Sequence, residues 1–579
     1  MAAFESMLQA PVQDAPAMIR RALPASLFAP SLIAACALWV QAPATAQSRL
    51  LEQVPADAHT VAHLQDATVI LEQVKRNDVY RLLGDEAGEP LYDQLRGMSA
   101  DGFDDMINLG QVLAGEAVLF SAKQGTGLMV EPRGDRVALM AALRSFTDTP
   151  PAGEGMAVQQ LGEHQIESSV PLDLDPASGA RGREAIEVSG ASPTPVKVMI
   201  SGPRILAALQ GDKASVQAWA AALCSDMPQP ALAPLARKLR SARALHGPAG
   251  QLEVFADLSF FQAEAAEALK AAGEGMLIDP SRLIGLDENA YLYGSFALPA
   301  GMNIDLRLHL QITPGTLLAE LADTMRPLPS DLLGRIPAEV TGLHVMNWDF
   351  NRCYAQLLEA LREDSQERGA DQIDQVVAAG SALAGSELEE EFFGQFTGVF
   401  GLFFMPPLEA LSLADMQESL LGVFLHMGLF AKVRDADAIM EVVDAMLGAV
   451  RANLAGSADE RGFEVMSLEE AAPYDGGLAF GANHFLATVT RRVMDASLTT
   501  FGGETERSLL AGSKLRSIFD GQQGAAAISA FRLGMLRELL REEERGVELP
   551  EGMEGLYDTY VVSTVRRVRT GFDLRVQLQ

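Results

Sequence analysis

The chain has 579 residues, and its 77 acidic against 45 basic side chains give a formal net charge of −32. With 48% hydrophobic and 21% charged residues, the composition excludes a mostly disordered chain. The acidic field also argues against nucleic acid or an anionic membrane as partner. Three cysteines are too few for a disulfide scaffold, and the length suits about three to four domain-sized units.

The first element is an export signal. Arg20 and Arg21 precede an apolar run, Ala22 to Val40, interrupted only by Pro24, Ser26, Pro30 and Ser31, and Ala44-Thr45-Ala46-Gln47 follows. A charged region, an apolar region and an A-x-A site read as a signal peptide over residues 1–46, cut after Ala46. Glu5 and Asp14 suit such a region poorly, so Met18 reads as the better start. Ile33-Ala34-Ala35-Cys36 resembles a lipoprotein box, but the run continues to Val40, which favours ordinary cleavage over a lipid anchor at Cys36. The residues after Arg20-Arg21 fit a twin-arginine motif poorly. No transmembrane segment is expected after the signal, because Phe392 to Pro407 and Leu420 to Ala431 are short and contain Gly, Gln or His. The expected location is periplasmic or extracellular.

The mature chain reads as one unit written twice. Val54-Pro55-Ala56-Asp57 leads through His63 to a helical stretch, Asp66 to Leu83; Ile336-Pro337-Ala338-Glu339 leads through His344 to another, Asp349 to Leu361. Gly110-Gln111 and then the strand Gly115 to Phe120 answer Gly394-Gln395 and the strand Gly398 to Phe403. Gly127 to Val130 runs to Asp135 and a helix, as Gly428 to Ala431 runs to Asp435 and a helix. Ile304 to Gln311 answers Phe572 to Gln579, both alternating at period two. That alternation predicts Ile304, Leu306, Leu308 and Leu310 facing a core, with Asp305, Arg307, His309 and Gln311 facing out.

Between these lie Val196 to Ile200 followed by a helix over Ala214 to Leu223, and Gln251 to Phe255 followed by a helix over Phe260 to Ala272. A hairpin through Pro299-Ala300-Gly301 joins Ala290 to Phe296 with the Ile304 strand. The spacing of Phe350, Tyr354, Leu357, Leu358 and Leu361 gives a helix with one buried face. Thr147 to Gly155 and Asp173 to Pro195 read as loop insertions. The expected class is α+β, as two tandem homologous halves, each a mainly antiparallel sheet with packed helices. The boundaries are 47–315 for the first repeat, 316–332 for a linker and 333–579 for the second repeat.

This layout resembles a family of exported bacterial proteins described only as a domain of unknown function. The P-A-D/E strand, the amphipathic helix, the G-Q strand segment and the duplication carry the resemblance, which implies fold and export and no activity. Abundant Ala and Arg with scarce Lys fits a GC-rich bacterial genome.

The chemistry-bearing motifs are few. No G-x-S-x-G, H-E-x-x-H, C-x-x-C, Walker A or G-x-G-x-x-G segment occurs. His63 and His344 read as matching strand-end residues, either an inherited polar feature or, less favoured, a metal or acid/base pair. Arg133-Gly134-Asp135 spells an adhesion tripeptide, yet its place before a helix makes Asp135 a cap. Cys224 and Cys353 read as buried thiols, with a disulfide as the alternative. The acidic clusters Asp101, Asp104, Asp105 and Glu387, Glu389, Glu390, Glu391 lack calcium-loop spacing. Arg537 to Glu548 reads as a solvated charged helix.

No catalytic, cofactor-binding or metal residue is therefore assigned, and no cofactor is implied. The favoured reading is an exported non-enzymatic binding, scaffold or envelope-interaction module whose partner is a protein or a small apolar ligand. A carrier of an apolar ligand, with 23 Met and 25 Phe to draw on, is one alternative. The other is a hydrolase of unrecognised type using Asp305 and Asp573 beside Arg307 and Arg575, against which stands a simple cross-strand charge pair.

Overall fold

In this computed structural model, the described residues are 50–55, 58–66, 115–146, 149–150, 155–174, 195–224, 238–239, 241–243, 251–261, 290–297, 304–364, short pieces within 374–382, 391–406, 426–450, 454–468, 475–511, 514–520, 522–534, 557–568 and 571–578. The signal segment 1–46 with Met18 and Cys36, the Asp101 cluster, Glu387 to Glu390, most of the Asp66 and Phe260 helices and of the Asp173 insertion, and Arg537 to Glu548 lie outside them.

The chain divides into two compact units. The first contains β1 (Ala58–Leu64), β2 (Ala117–Ala122), β3 (Gly125–Val130), helix α1 (Arg136–Phe146), β4 (Ala157–Leu161), β5 (His164–Ser168), β6 (Val196–Ser201), β7 (Leu206–Gly211), helix α2 (Lys213–Cys224) and β8 (Leu252–Asp257). These strands pair, all antiparallel, in the order β4-β5-β6-β7-β3-β2-β1-β8. The strand β7 and the hairpin β4–β5 carry no clean period-two signal and go unpredicted. Residues 291–294 of β9 (Tyr291–Ala297) group with the second unit and 295–297 with the first.

Both faces of this sheet are covered. Leu139 and Leu143 of α1 pack on Ala117, Leu128, Met199 and Ala208. On the other face Trp219 of α2 meets Phe120 edge-on, 5.4 Å between centroids, beside buried Val61, Val118, Met129 and Phe255. Asp135 caps α1, its Oδ1 accepting from Val137 N at 2.9 Å and Ala138 N at 3.2 Å. The adhesion-like tripeptide is thus a helix start.

The second unit contains β10 (Asp305–Gln311), α3 (Leu317–Asp323), β11 (Gly342–Asn347), α4 (Phe350–Asp364), β12 (Phe396–Phe404), β13 (Met427–Val433), α5 (Ala436–Val450), β14 (Leu454–Glu460), β15 (Phe463–Leu468), β16 (Gly477–Gly481), β17 (His484–Thr488), α6 (Arg491–Phe501), α7 (Lys514–Asp520), β18 (Ala527–Arg532), β19 (Tyr560–Val568) and β20 (Gly571–Leu578). Its antiparallel order is β14-β15-β16-β17-β13-β12-β11-β18-β19-β20-β10. The first eight positions follow the same sequence of turns as the first unit. Part of the expected linker, residues 317–323, is the helix α3, capped by Thr316.

Helices again lie on both faces. Val493, Leu498 and Phe501 of α6 and Leu515 and Ile518 of α7 close a core over Leu343, Val345, Phe403, Phe430 and Ile528. Phe350 of α4 and Ile439 of α5 pack on the opposite face with Ala431 and Phe480. Glycines facing rings set the packing. Phe403 lies opposite Gly428, where an added Cβ would sit 2.3 Å from its ring, and Phe120 opposes Gly127 with a matching approach of 2.4 Å.

Candidate functional site

Two clusters of ionisable side chains lie on strands, one in each unit. In the first unit His63 of β1 opposes Glu253 of β8. Its Nδ1 is 3.2 Å from Glu253 Oε2 and its Nε2 3.1 Å from Glu116 Oε1. Both ring nitrogens face carboxylates, an arrangement that favours the protonated ring, although the Arg243 guanidinium also stands 3.3 Å from Nδ1. Burial alone pushes the His63 pKa down, but hydrogen bonds and charge from Glu116 and Glu253 raise it overall. Arg243, in the helical residues 241–243, grips Glu253 with Nε at 2.8 Å from Oε1 and a second bond to Oε2. Burial pushes the Glu253 carboxyl up, yet His63 and Arg243 hold it below its ordinary value. Its side chain is 1% exposed.

One polar neighbour is unsatisfied. Gln251, two residues before Glu253 on the same strand face, is 1% exposed, and neither of its amide atoms has a hydrogen-bond partner. An orphaned buried amide costs about 1–3 kcal/mol. The isosteric Gln251→Met is therefore expected to raise the urea midpoint of the first unit, with m unchanged; a lowered midpoint would mean that the amide is satisfied in solution.

His344 lies on β11 of the second unit. Phe120 and Phe403 both face the helix that follows the last strand of their β-block, and Val61 and Leu343 oppose them. Counting two residues on, His63 matches Val345, while His344 points to the other face and bonds Ser529 Oγ through Nδ1 at 2.6 Å. Burial lowers the His344 pKa. In a strand one residue changes the face, so His344 and Val345 point to opposite sides of the sheet. By the same count Glu116 matches Val399, Glu253 matches Ile528 and Gln251 matches Ala526, all buried and apolar. Lys238-Leu239-Arg240-Ser241 recurs as Lys514-Leu515-Arg516-Ser517, which sets Arg243 against Phe519, packed on the second core. That shared tetrapeptide is the signal that aligns the cluster.

The second cluster lies on β10 and β20, whose register sets Arg307 opposite Arg575 and His309 opposite Asp573. Asp305 accepts from Arg307 at 2.9 Å and from Arg575 at 2.7 and 2.8 Å. Asp573 lies 2.7 Å from His309 Nδ1. Asp305 and His309 are buried, so the expectation that the polar side of this strand faces out is corrected. The apolar side, Leu306, Leu308 and Leu310, is only half-buried. Charges can be buried when they are paired, as these are.

Burial pushes Asp305 up, but the two guanidinium groups hold its pKa below the ordinary value. Its contribution to stability is thus present above the unfolded pKa and is lost as pH falls through the lower folded one. Asp305→Asn is expected to cost about 1.5–3 kcal/mol at neutral pH. The deficit should shrink in strong acid, where the wild-type carboxyl is protonated too; thermal unfolding across that range checks it.

Cys224 and Cys353 are free thiols, and burial pushes the Cys224 pKa up to about 12. Among the described residues no group of three or more His, Cys, Asp or Glu is arranged to hold a metal ion. None of the described helices is long and apolar enough to cross a membrane.

No protein-family model and no curated protein matches the chain. Among solved structures, crystal form I of TP0453 is similar at 9% identity over 50% of this chain and 91% of that one, with a TM-score of 0.23. At that score the likeness carries no argument about fold or function.

Proposed function

We propose that the chain is an exported, non-enzymatic binding or scaffold protein that engages an apolar surface of its partner through the sheet of the second unit. The observation that carries this reading is an apolar row across the sheet. Met427, Phe404, Phe531, Val561 and Leu578 stand in register on β13, β12, β18, β19 and β20, with Gly342 of β11 between Phe404 and Phe531. All five side chains are half-buried, and Leu429 in the next row is 38% exposed. Contiguous apolar surface of this kind is characteristic of interaction sites. The carboxylates of the hydrolase alternative are engaged: Asp305 by two arginines, Asp573 by His309.

The shared pairing order, the matched Phe–Gly pairs and the repeated Lys-Leu-Arg-Ser support two tandem copies of one unit. The charged, apolar and A-x-A segments at 20–47 support export, as does the resemblance to exported bacterial proteins of unknown function. The test is cross-linking in producing cells, followed by mass spectrometry of the mature N-terminus and of captured partners or extracted lipid. The reading expects a chain beginning at Gln47 outside the cytoplasm and a protein cross-linked near Leu429 in the wild type but not in a Leu429→Asp, Phe531→Asp variant. Lipid alone would favour the carrier alternative. An uncleaved cytoplasmic chain, or capture that the variant leaves unchanged, would overturn the proposal.

A further inference from the structure

Side chains alternate across a strand, so the face of β19, β20 and β10 opposite the apolar row carries a different set. Arg566, Asp573 and His309 stand in one row, and Thr564, Arg575 and Arg307 in the next. Two arginines directly opposite each other repel. Asp305 bridges them, accepting from Nε and Nη2 of each. Nη1 of Arg307 and Nη1 of Arg575 have no acceptor among the described residues. These two side chains are 42% and 31% exposed, against 11% for Asp305, so solvent reaches the guanidinium groups more than the carboxylate between them.

Arg566 is half-buried and is held by a neutral group instead. Its Nη2 donates to Gln522 Oε1 at 3.1 Å, and Gln522 Nε2 donates in turn to Gln577 Oε1 at 2.9 Å. Its Nε is buried with no hydrogen-bond partner. Asp573, across the strand pair from it, bonds His309 at 2.7 Å. A charged donor that the chain leaves short of acceptors is costly, and such a group calls for a specific explanation. The register puts Arg566 diagonal to Arg575, about 7–8 Å apart between strands, a gap that two long guanidinium side chains can close on one small anion.

We propose that Arg566, Arg575 and Arg307 form an oxyanion site on this face, which takes a phosphoryl or carboxylate group of a ligand. The anion is met by the Nη1 groups of the three arginines, while Asp305 and Gln522 hold the guanidinium planes in place. Guanidinium groups bind oxyanions through charge-assisted hydrogen bonds of fixed geometry, which the point charge of a lysine does not reproduce. Three guanidinium groups around one carboxylate also make a cationic patch in a chain of net charge −32, and a local field of that sign draws anions to it. The site lies on the face opposite the apolar row, so it stands or falls independently of the partner proposed for that row.

Calorimetric titration of the purified chain with inorganic phosphate and, separately, with succinate tests the site at low ionic strength, where charges are least screened. One equivalent of at least one probe should bind, and the tighter of the two tells a phosphoryl ligand from a carboxylate one. Arg566→Gln should weaken binding about tenfold or more, the loss of one charge-assisted hydrogen bond. Arg566→Lys keeps the charge and the stem but not the planar group. It should weaken binding less, and it carries the test if the glutamine variant does not fold. Arg567→Gln is the control, because Arg567 points to the other face and is held by Asp323 at 2.7 Å; its binding should match the wild type. The proposal is overturned if neither probe binds, if both Arg566 variants bind as the wild type does, or if Arg567→Gln loses as much as Arg566→Gln.

Discussion

Glu253→Ala is expected to destabilise the first unit by about 3 kcal/mol, because it takes from the buried His63 and the partly exposed Arg243 the carboxylate they share. The same position can be emptied of charge harmlessly if its partners go with it. Replacing His63, Glu116, Arg243 and Glu253 by Val, Val, Phe and Ile, the residues at the matching sites of the second unit, should leave stability unchanged or raise it by about 1–4 kcal/mol. Urea unfolding monitored through Trp219, which packs on Phe120 in this unit, measures both. If the single and the fourfold variants lose stability alike, the cluster is an integral part of the core and the matching of the two units at these positions is wrong.

The second large effect lies in the other core. Phe430 is fully buried, with Phe403 at 6.5 Å and Phe501 at 5.2 Å between ring centroids. Its ring lies over Gly401, where a Cβ would come within 2.3 Å. Phe430→Ala should cost about 3–5 kcal/mol, the transfer of the ring plus the cavity left behind. Gly401→Ala alone should also destabilise, by about 1–3 kcal/mol, through overpacking. Together the two changes should cost less than their sum, since each removes the strain or the void the other creates. Additive losses in a double-mutant cycle would show that ring and glycine do not share the space.

Much of the local structure was legible in the chain. The strands at Val196, Leu343 and Phe400, the helix from Phe350 and the cap Asp135 follow from period, spacing and residue type. Which strand face is inside was not. Alternation at period two separates two faces but marks the interior only when the other face meets water. Here Asp305 is buried against Arg307 and Arg575, and His309 against Asp573 and the Tyr291 ring, while Leu306 and Leu308 on the other face stay half-covered. Arg243 and Gln251 had no local signal at all. Only the distant Lys-Leu-Arg-Ser repeat and the strand register bring them beside His63.

The ring-over-glycine pairs have a consequence for how such a chain drifts over time. Phe120 with Gly127, and Phe403 with Gly428, each fill one volume from two strands, so neither member can change freely while the other stays. Among relatives these positions should behave as single heritable characters. A smaller side chain at 120 or 403 should arrive together with a β-carbon at 127 or 428, leaving correlated substitutions that report the strand register without any coordinates.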